Sequence, residues 1–319
     1  NARALILSVL LENLGTVNLL TINDLASRYL GFLRYAWDHS IGRFRNFLTF
    51  QRNWKEEVPS EDCHGRALWA IGICIGQSKN EGFVQMSVEL FEKALVSSAS
   101  FTSPRAWAFI LLGIHEYLQR LHGDRLVHNC LEILSLRLHD LYKVNTDAQW
   151  LWFESSLTYC DAQLPHALLV SGHDLDNEEM LKAGIDALKW LVKIQTSTRG
   201  HFQPVGTDGT YHRGGVKPVF DQQPVEAYAT VSACLQAYRV TKDKAWHDEA
   251  SKAFQWFLGS NDLGISLYDP VTGGCCDGLH IDRVNRNQGA ESTLSFLLSL
   301  TEMTHMGNIL ESLKEPLEE

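Results

Sequence analysis

The stretch FDQQPVEAYATVSACLQAY, residues 220–238, joins a crowded polar opening to a helix with almost no polar face. A proline, Pro224, stands within this opening, and proline is favoured in the first turn of a helix. Beyond the opening, small or apolar residues fill nearly every position, which is typical of a helix buried on all sides. The polar residues of the opening are Asp221, Gln222, Gln223 and Glu226.

The same pattern recurs along the chain with a period of about 40 to 65 residues, the range of repeats built from paired helices. Each copy begins with polar or acidic residues and then becomes apolar. We therefore predict six internal helices, called inner helices below. The other five copies are NARALILSVLL from Asn1, SEDCHGRALWAIGICIG from Ser60, SPRAWAFILLGIHEYL from Ser103, YCDAQLPHALLVSG from Tyr159 and NQGAESTLSFLLSL from Asn287.

Amphipathic segments with one polar face separate these copies, and we call them outer helices. Alternating inner and outer helices, closed after six pairs, predict an all-α fold, the (α/α)6 toroid, with residues 1–319 forming a single domain. An open helical solenoid is the alternative, because its repeats also alternate. The outer segments are LASRYLGFLRYAW, SVELFEKALVS, LEILSLRLHDLY, EEMLKAGIDALKWLVKIQ and HDEASKAFQWFLGS.

The links from outer to inner helices are long and rich in glycine and aromatic residues, as in STRGHFQPVGTDGTYHRGGVKPV. Long connections gathered on one face of a scaffold usually carry function. Every inner helix begins on that predicted face, so we expect Asp221 and Glu226 to stand at the mouth of a central cavity. Arg3 in NARAL aligns with Arg66 in HGRAL, so we also expect the chain to lack the start of its first inner helix.

The amino-acid composition indicates which classes of partner the protein can bind. The formal net charge is −10 and no run of Lys and Arg occurs, which argues against nucleic acid or an anionic membrane as the main partner. Nine Trp, nine Tyr and fourteen Phe supply rings for the core and for stacking against sugars. Seven Cys without regular spacing predict reduced thiols, and with no signal peptide or transmembrane run they favour a cytoplasmic location.

Four stretches carry a resemblance that covers essentially the whole chain. They resemble the six-hairpin glycosidase-like proteins, (α/α)6 barrel enzymes that act on carbohydrates, and more narrowly a bacterial family found alone or joined to glycosyltransferase domains. The resemblance implies a saccharide ligand and association with a glycosyltransferase. It implies no single reaction, because the barrel hosts hydrolases, lyases, phosphorylases and epimerases. The stretches are SEDCHGRALWAIG, WFESSLTYCDAQLPHALL, FDQQPVEAYATV and NRNQGAESTLSFL.

Glycoside cleavage usually needs two carboxyl groups, so a glycoside hydrolase is the first functional prediction. Glu226 and Glu291 lie inside apolar helices, where burial would raise the pKa of a general acid. The structural alternative for these acids is an N-terminal cap, or a buried ion pair with an arginine such as Arg66. The catalytic candidates are Asp221, Glu291, Asp62 and Glu226.

Two other functions stay open. His64 and His280 would suit proton transfer at a sugar carbon, as in an epimerase of the N-acylglucosamine 2-epimerase kind. A non-catalytic glycan-binding domain that assists a glycosyltransferase would keep only the aromatic and amide residues. No phosphate loop, dinucleotide fingerprint or metal-ligand triad occurs, so we expect no cofactor and no metal. The ligand-binding candidates are Arg66, His64, Trp54, Trp152, Asp161, Gln222, Gln223, His212, Asn287 and Gln288.

Overall fold

A computed structural model describes residues 1–312 of the chain, which are mostly helical. Short connections join each inner helix to the outer helix that follows it, and long links lead from most outer helices to the next inner helix. The α-helices of the described residues are α1 Ala2–Leu14, α2 Leu19–Ala36, α3 Glu61–Gln77, α4 Glu81–Leu95, α5 Pro104–Arg120, α6 Arg125–Asn145, α7 Gln163–Asp174, α8 Glu178–Ile194, α9 Pro224–Thr241, α10 Lys244–Phe257 and α11 Ala290–Ser312.

Six of these are the predicted inner helices, with odd numbers, and five are the predicted outer helices, with even numbers. In α3, α5, α7 and α9 the buried residues surround most of the helix, as predicted. By contrast, α1 and α11 keep several partly exposed positions. A sixth outer helix after α11 would lie outside the described residues. Among residues 1–312, no helix has both the length and the apolar character needed to cross a membrane.

The described residues form two compact units. Unit 1 consists of Asn1–Leu141 and Val170–Leu181, and unit 2 of Tyr142–Leu169 with the described residues from Lys182 onward. The predicted organisation as one domain stays a prediction.

Within unit 1, α3 packs against α1, α4 and α5. The Ser60 side chain caps α3 by accepting a hydrogen bond from the backbone N–H of Cys63 at 3.2 Å. Helices α3 and α5 approach so closely that a Cβ atom added at Gly72 would lie 2.2 Å from the carbonyl oxygen of Gly113. Glycine therefore sets the distance between these two inner helices.

Within unit 2, α9 packs against both α10 and α11. Every residue of α9 from Pro224 to Ala237 is buried, which confirms the prediction from the opening stretch. The helix ends at Lys242 in the left-handed conformation, and Asp243 then caps α10 through the N–H of Ala245 at 3.0 Å.

Three antiparallel pairs of two-residue strands occur in the described part of the long links. Two of the pairs close a hairpin within one link, and the pair of β3 with β4 joins two different links. The pairs are β1 Trp37–Asp38 with β2 Arg43–Phe44, β3 Ser156–Leu157 with β4 Tyr211–His212, and β5 Gly278–Leu279 with β6 Val284–Asn285.

All seven cysteines are free thiols. Burial raises the pKa of several of them, to about 12 for Cys63 and Cys275 and to about 11 for Cys74. Thiols shifted in this direction remain protonated at neutral pH and react slowly.

We predict that Gly72→Ala lowers the free energy of unfolding by about 1–3 kcal/mol, because the new methyl group overlaps the backbone of α5. Gly31→Ala is the matched control, since Gly31 is an exposed residue of α2 with open space around it. It should stabilise the protein by about 0.5–1 kcal/mol through helix propensity alone. Urea unfolding of both variants measures the difference, and equal effects would contradict the close packing of α3 on α5.

Candidate active site

A cavity of about 300 Å³ opens in unit 2, beside the start of α9. Acidic, basic and apolar side chains line this cavity together, which is typical of a small-molecule site. The opening stretch of the sequence supplies two of the lining residues. The lining consists of Asp208, Val219, Phe220, Asp221, His280, Ile281, Asp282 and Arg283.

Backbone pairing holds the wall that carries Asp221. Residues 206–208 run beside residues 218–221, and a Cβ atom at Gly206 would lie 1.8 Å from the carbonyl oxygen of Phe220, so only glycine fits there. Backbone N–H groups of Gly206, Thr207 and Asp208 donate to the carbonyls of Pro218, Asp221 and Phe220 at 2.9, 3.1 and 3.0 Å, respectively.

The second wall is the turn between β5 and β6. Gln222 and Leu279 exchange two backbone hydrogen bonds, at 3.0 and 2.9 Å. The backbone N–H of His280 donates to the carbonyl of Arg283 at 2.9 Å, which closes the turn. The residue after Leu279 is thereby held opposite the residue before Gln222.

Asp221 and His280 meet across this bridge: Nδ1 of His280 hydrogen-bonds to Oδ1 of Asp221. Both side chains keep contact with solvent, with 45% of the Asp221 side chain and 27% of the His280 side chain exposed. With the carboxylate as acceptor, Nδ1 is the donor nitrogen, and in the neutral imidazole Nε2 is then the acceptor nitrogen. A carboxylate that orients an imidazole in this way suits general acid–base chemistry.

Gln222, expected to contact sugar, lies behind the wall and is fully buried. Its amide donates to the carboxylate of Asp262 at 2.6 Å and accepts from the indole N–H of Trp256 at 2.7 Å. Gln223 occupies the N-cap position of α9, where its side chain makes no capping hydrogen bond.

Glu226, expected to be a catalytic acid, is buried with 4% of its surface exposed. Its carboxylate accepts hydrogen bonds from the backbone N–H groups of Cys160 and Asp161, which precede α7. Asp161 is itself buried and accepts from the N–H of Thr158 at 3.2 Å. These contacts give both acids a structural task at the start of an inner helix.

Glu291 lies exposed in the first turn of α11, so the burial expected for it is absent. It is not among the residues that line the cavity. The neighbouring amides bind acids of the preceding loop: Asn287 donates to Asp277, and Gln288 donates to Asp269 at 3.1 Å. Burial alone would raise the pKa of Asp277, but hydrogen bonds from Asn287, Ser292 and the backbone of Gly289 lower it.

Four of the predicted site residues lie in unit 1: Trp54, Asp62, His64 and Arg66. Asp62 and Arg66 form an i, i+4 ion pair at 2.7 Å, and the Arg66 guanidinium stands 4.2 Å from the ring centroid of Phe109. His64 is fully buried, with Nε2 bonded to the carbonyl of Ala94 at 3.0 Å. The His64 ring therefore packs inside the protein.

The aromatic candidates separate into core and surface. Trp152 is fully buried and stacks on Trp190 with ring centroids 5.8 Å apart. Trp54 is partly exposed beside Tyr35, with centroids 5.5 Å apart. His212 is exposed on β4.

Sequence reasoning missed Asp208 and Arg283, which line the cavity, and Asp262, which lies behind it. All three belong to long links without a regular pattern, so periodicity could not mark them. Their one signal was their place in the Gly-rich links where function was expected. Among the residues that the structure describes, no group of three or more His, Cys, Asp or Glu could hold a metal ion.

Solved structures of sugar-processing enzymes share this fold. The cellobiose 2-epimerase from Bacillus thermoamylovorans is 11% identical, with a TM-score of 0.69 over 94% of this chain and 86% of that one. The cellobiose 2-epimerase from Spirochaeta thermophila is 13% identical, with a TM-score of 0.69 over 97% and 86%. An α-mannanase from Bacteroides thetaiotaomicron is 12% identical, with a TM-score of 0.65 over 97% and 87%.

No family model and no curated protein sequence matches the chain. At identities this low, the structural likeness shows the fold alone. It confirms the predicted fold class: the chain has an all-α (α/α)6 fold, as these structural neighbours do.

We predict that His64 makes stability pH-dependent. Burial lowers its pKa to about 4, so the unfolded state binds a proton more readily between pH 6.5 and 4. Protonation of the unfolded state therefore leaves the free energy of unfolding unchanged above pH 6.5 and lowers it by about 3 kcal/mol as the pH falls to 4. Urea unfolding across this range should show a flatter pH profile for His64→Gln. The exposed-site control His212→Gln should keep the wild-type profile, and an unchanged profile in His64→Gln would contradict this assignment.

Proposed function

We propose that the chain is a carbohydrate-active enzyme, specifically a glycoside hydrolase, that binds a sugar in the unit 2 cavity. The observation that carries the proposal is that Asp208 and Asp221 line the same cavity, where Asp221 is also hydrogen-bonded to His280. It supplies an oriented acid–base pair at a place that a ligand can reach.

The cavity suits a sugar in size and chemistry. Its volume of about 300 Å³ is at the lower end of the range for small-molecule sites, roughly 300–1,000 Å³. Phe220 offers an apolar surface, while the carboxylates and Arg283 offer hydrogen-bond partners for hydroxyl groups. The structural neighbours named above support this ligand class, since their names describe action on cellobiose and on mannan.

Hydrolysis needs a second carboxyl group beside Asp221. Three aspartates line the cavity, and one of them, Asp282, is bound to Arg283 at 2.8 Å. We therefore assign the second role to Asp208 in preference to Glu291, because Asp208 shares the cavity with Asp221. In this scheme one carboxyl group protonates the leaving oxygen, and the other activates water or attacks the sugar.

A sugar epimerase is the second candidate, and the same imidazole favours it. Proton removal and return at a sugar carbon needs a base such as Nε2 of His280, held by Asp221. The two cellobiose 2-epimerases among the structural neighbours support this alternative. The association with a glycosyltransferase and the cytoplasmic location stay predictions.

The two reactions are distinguished by incubation with cellobiose, mannobiose and nitrophenyl glycosides in D₂O. Hydrolysis releases new reducing ends or nitrophenol. Epimerisation keeps the number of reducing ends and places deuterium on the sugar carbon. We predict new reducing ends, and we expect Asp221→Asn to lower the rate about 10²-fold or more with little change in stability.

Two further variants separate the roles within the site. Asp208→Asn should reduce hydrolysis by a similar factor, whereas Glu291→Gln should have a small effect. Deuterium incorporation without new reducing ends would replace the hydrolase by the epimerase. If the wild type binds sugar but neither it nor any variant shows turnover, the result would favour a glycan-binding domain and contradict both enzymatic proposals.

A further inference from the structure

We infer that Asp262 is a positioning residue for the Asp221–His280 pair and that it acts through the side chain of Gln222. The catalytic meaning of this inference rests on the proposed function, but its geometric content does not. Asp262 is outside the cavity lining and lies in the link after α10.

The Asp262 carboxylate is the centre of a cluster of donors. Only 11% of its side chain is exposed. It accepts hydrogen bonds from Nε2 of Gln222 at 2.6 Å, Nε2 of Gln203 at 2.8 Å and Nε2 of His201 at 3.1 Å, and Arg199 approaches at 3.5 Å. Burial alone would raise the pKa of Asp262, but the bonds from Gln222, Gln203 and His201 lower it. The acid is therefore held ionised by its neighbours.

The side chain of Gln222 connects Asp262 to the backbone of the cavity wall. Its amide nitrogen donates to Asp262 and also to the carbonyl of Val219 at 2.9 Å, while its amide oxygen accepts from Trp256. Every polar atom of the buried amide thus has a partner, so the side chain has one favoured orientation. Its backbone at the same time makes both hydrogen bonds with Leu279.

The geometry links this anchor directly to the acid–base pair. Asp221 precedes Gln222 and His280 follows Leu279, so the Gln222–Leu279 bridge sets the separation of the two side chains. If Gln222 loses its anchor, the bridge loses the side-chain restraint on one of its two residues. The hydrogen bond between Asp221 and His280 then weakens, and the preference for a proton on Nδ1 weakens with it.

An asparagine at position 262 would disturb the anchor without a large change in shape. It has a single acceptor oxygen, and its NH₂ group would face donors that now meet a carboxylate. A variant on the other side of Gln222, Trp256→Phe, removes only the indole N–H that bonds Gln222. Trp190→Phe is its matched control, because Trp190 is also buried but donates to the carbonyl of Gln149.

The test is nuclear magnetic resonance of protein labelled with ¹⁵N-histidine, without any ligand. The ring signals of His280 are assigned by their loss in His280→Asn, and their ¹⁵N shifts report which ring nitrogen carries the proton. We expect Asp262→Asn to move the His280 signals toward a mixture of tautomers and Trp256→Phe to move them in the same direction by less. Trp190→Phe should leave them unchanged.

A second readout uses the sugar reaction. Asp262→Asn should lower kcat by about 10- to 100-fold with a smaller change in KM, because the binding groups remain while the reacting pair is displaced. Unchanged His280 signals in a folded Asp262→Asn would overturn the inference, as would equal shifts in Trp256→Phe and Trp190→Phe. If Asp262→Asn does not fold, the pair of tryptophan variants decides. Failure of the proposed function would appear separately: Asp221→Asn would keep full activity, while Asp262→Asn would still shift the His280 signals.

Discussion

The N–H groups at the start of a buried helix have no partner inside the helix, and away from water each one needs an acceptor from elsewhere. In this chain Ser60 and Ser103 cap α3 and α5 with their own side chains, and acids carried by other segments accept from N–H groups at or just before the helix starts. Glu61 at the start of α3 accepts from the N–H groups of Thr102 and Ser103 before α5, at 2.9 and 2.8 Å. Glu226 does the same for the segment before α7, and Asp277 accepts from Gly289 before α11 at 2.7 Å. The polar openings of the inner helices therefore join neighbouring segments of the fold.

This requirement also limits which acids are free for chemistry. Glu226 is buried in the first turn of α9 and accepts from backbone N–H groups, whereas Asp221 lies before the helix, on a segment already paired on both edges. A carboxylate on such a segment has no helix start to satisfy and keeps 45% of its side chain exposed. The structure thus separates two acids that are five residues apart into a structural one and one that can meet a ligand.

The order of helices was predictable because burial on all faces and burial on one face leave different periodicities in the sequence. The same reasoning predicted both Asp221 and Glu226 at the mouth of a cavity; Asp221 is in the lining of the unit 2 cavity and Glu226 is not. It named His280 in the epimerase alternative. The orientation of Gln222, away from the cavity, could not be predicted, because the residues before α9 form a loop and follow no helical or strand periodicity. Asp208 and Asp262 could not be predicted for a related reason: loop residues are brought to a site by backbone pairing such as that of Gly206 with Phe220, which only the folded chain reveals.

A crystal structure of Asp221→Asn soaked with cellobiose or mannobiose would show whether the unit 2 cavity binds the sugar. We expect a sugar ring in the unit 2 cavity, with an oxygen or a reacting carbon within about 3.5 Å of Nε2 of His280. A sugar ordered instead beside Asp62 and Arg66 in unit 1, with the unit 2 cavity empty at the same soaking concentration, would contradict this expectation.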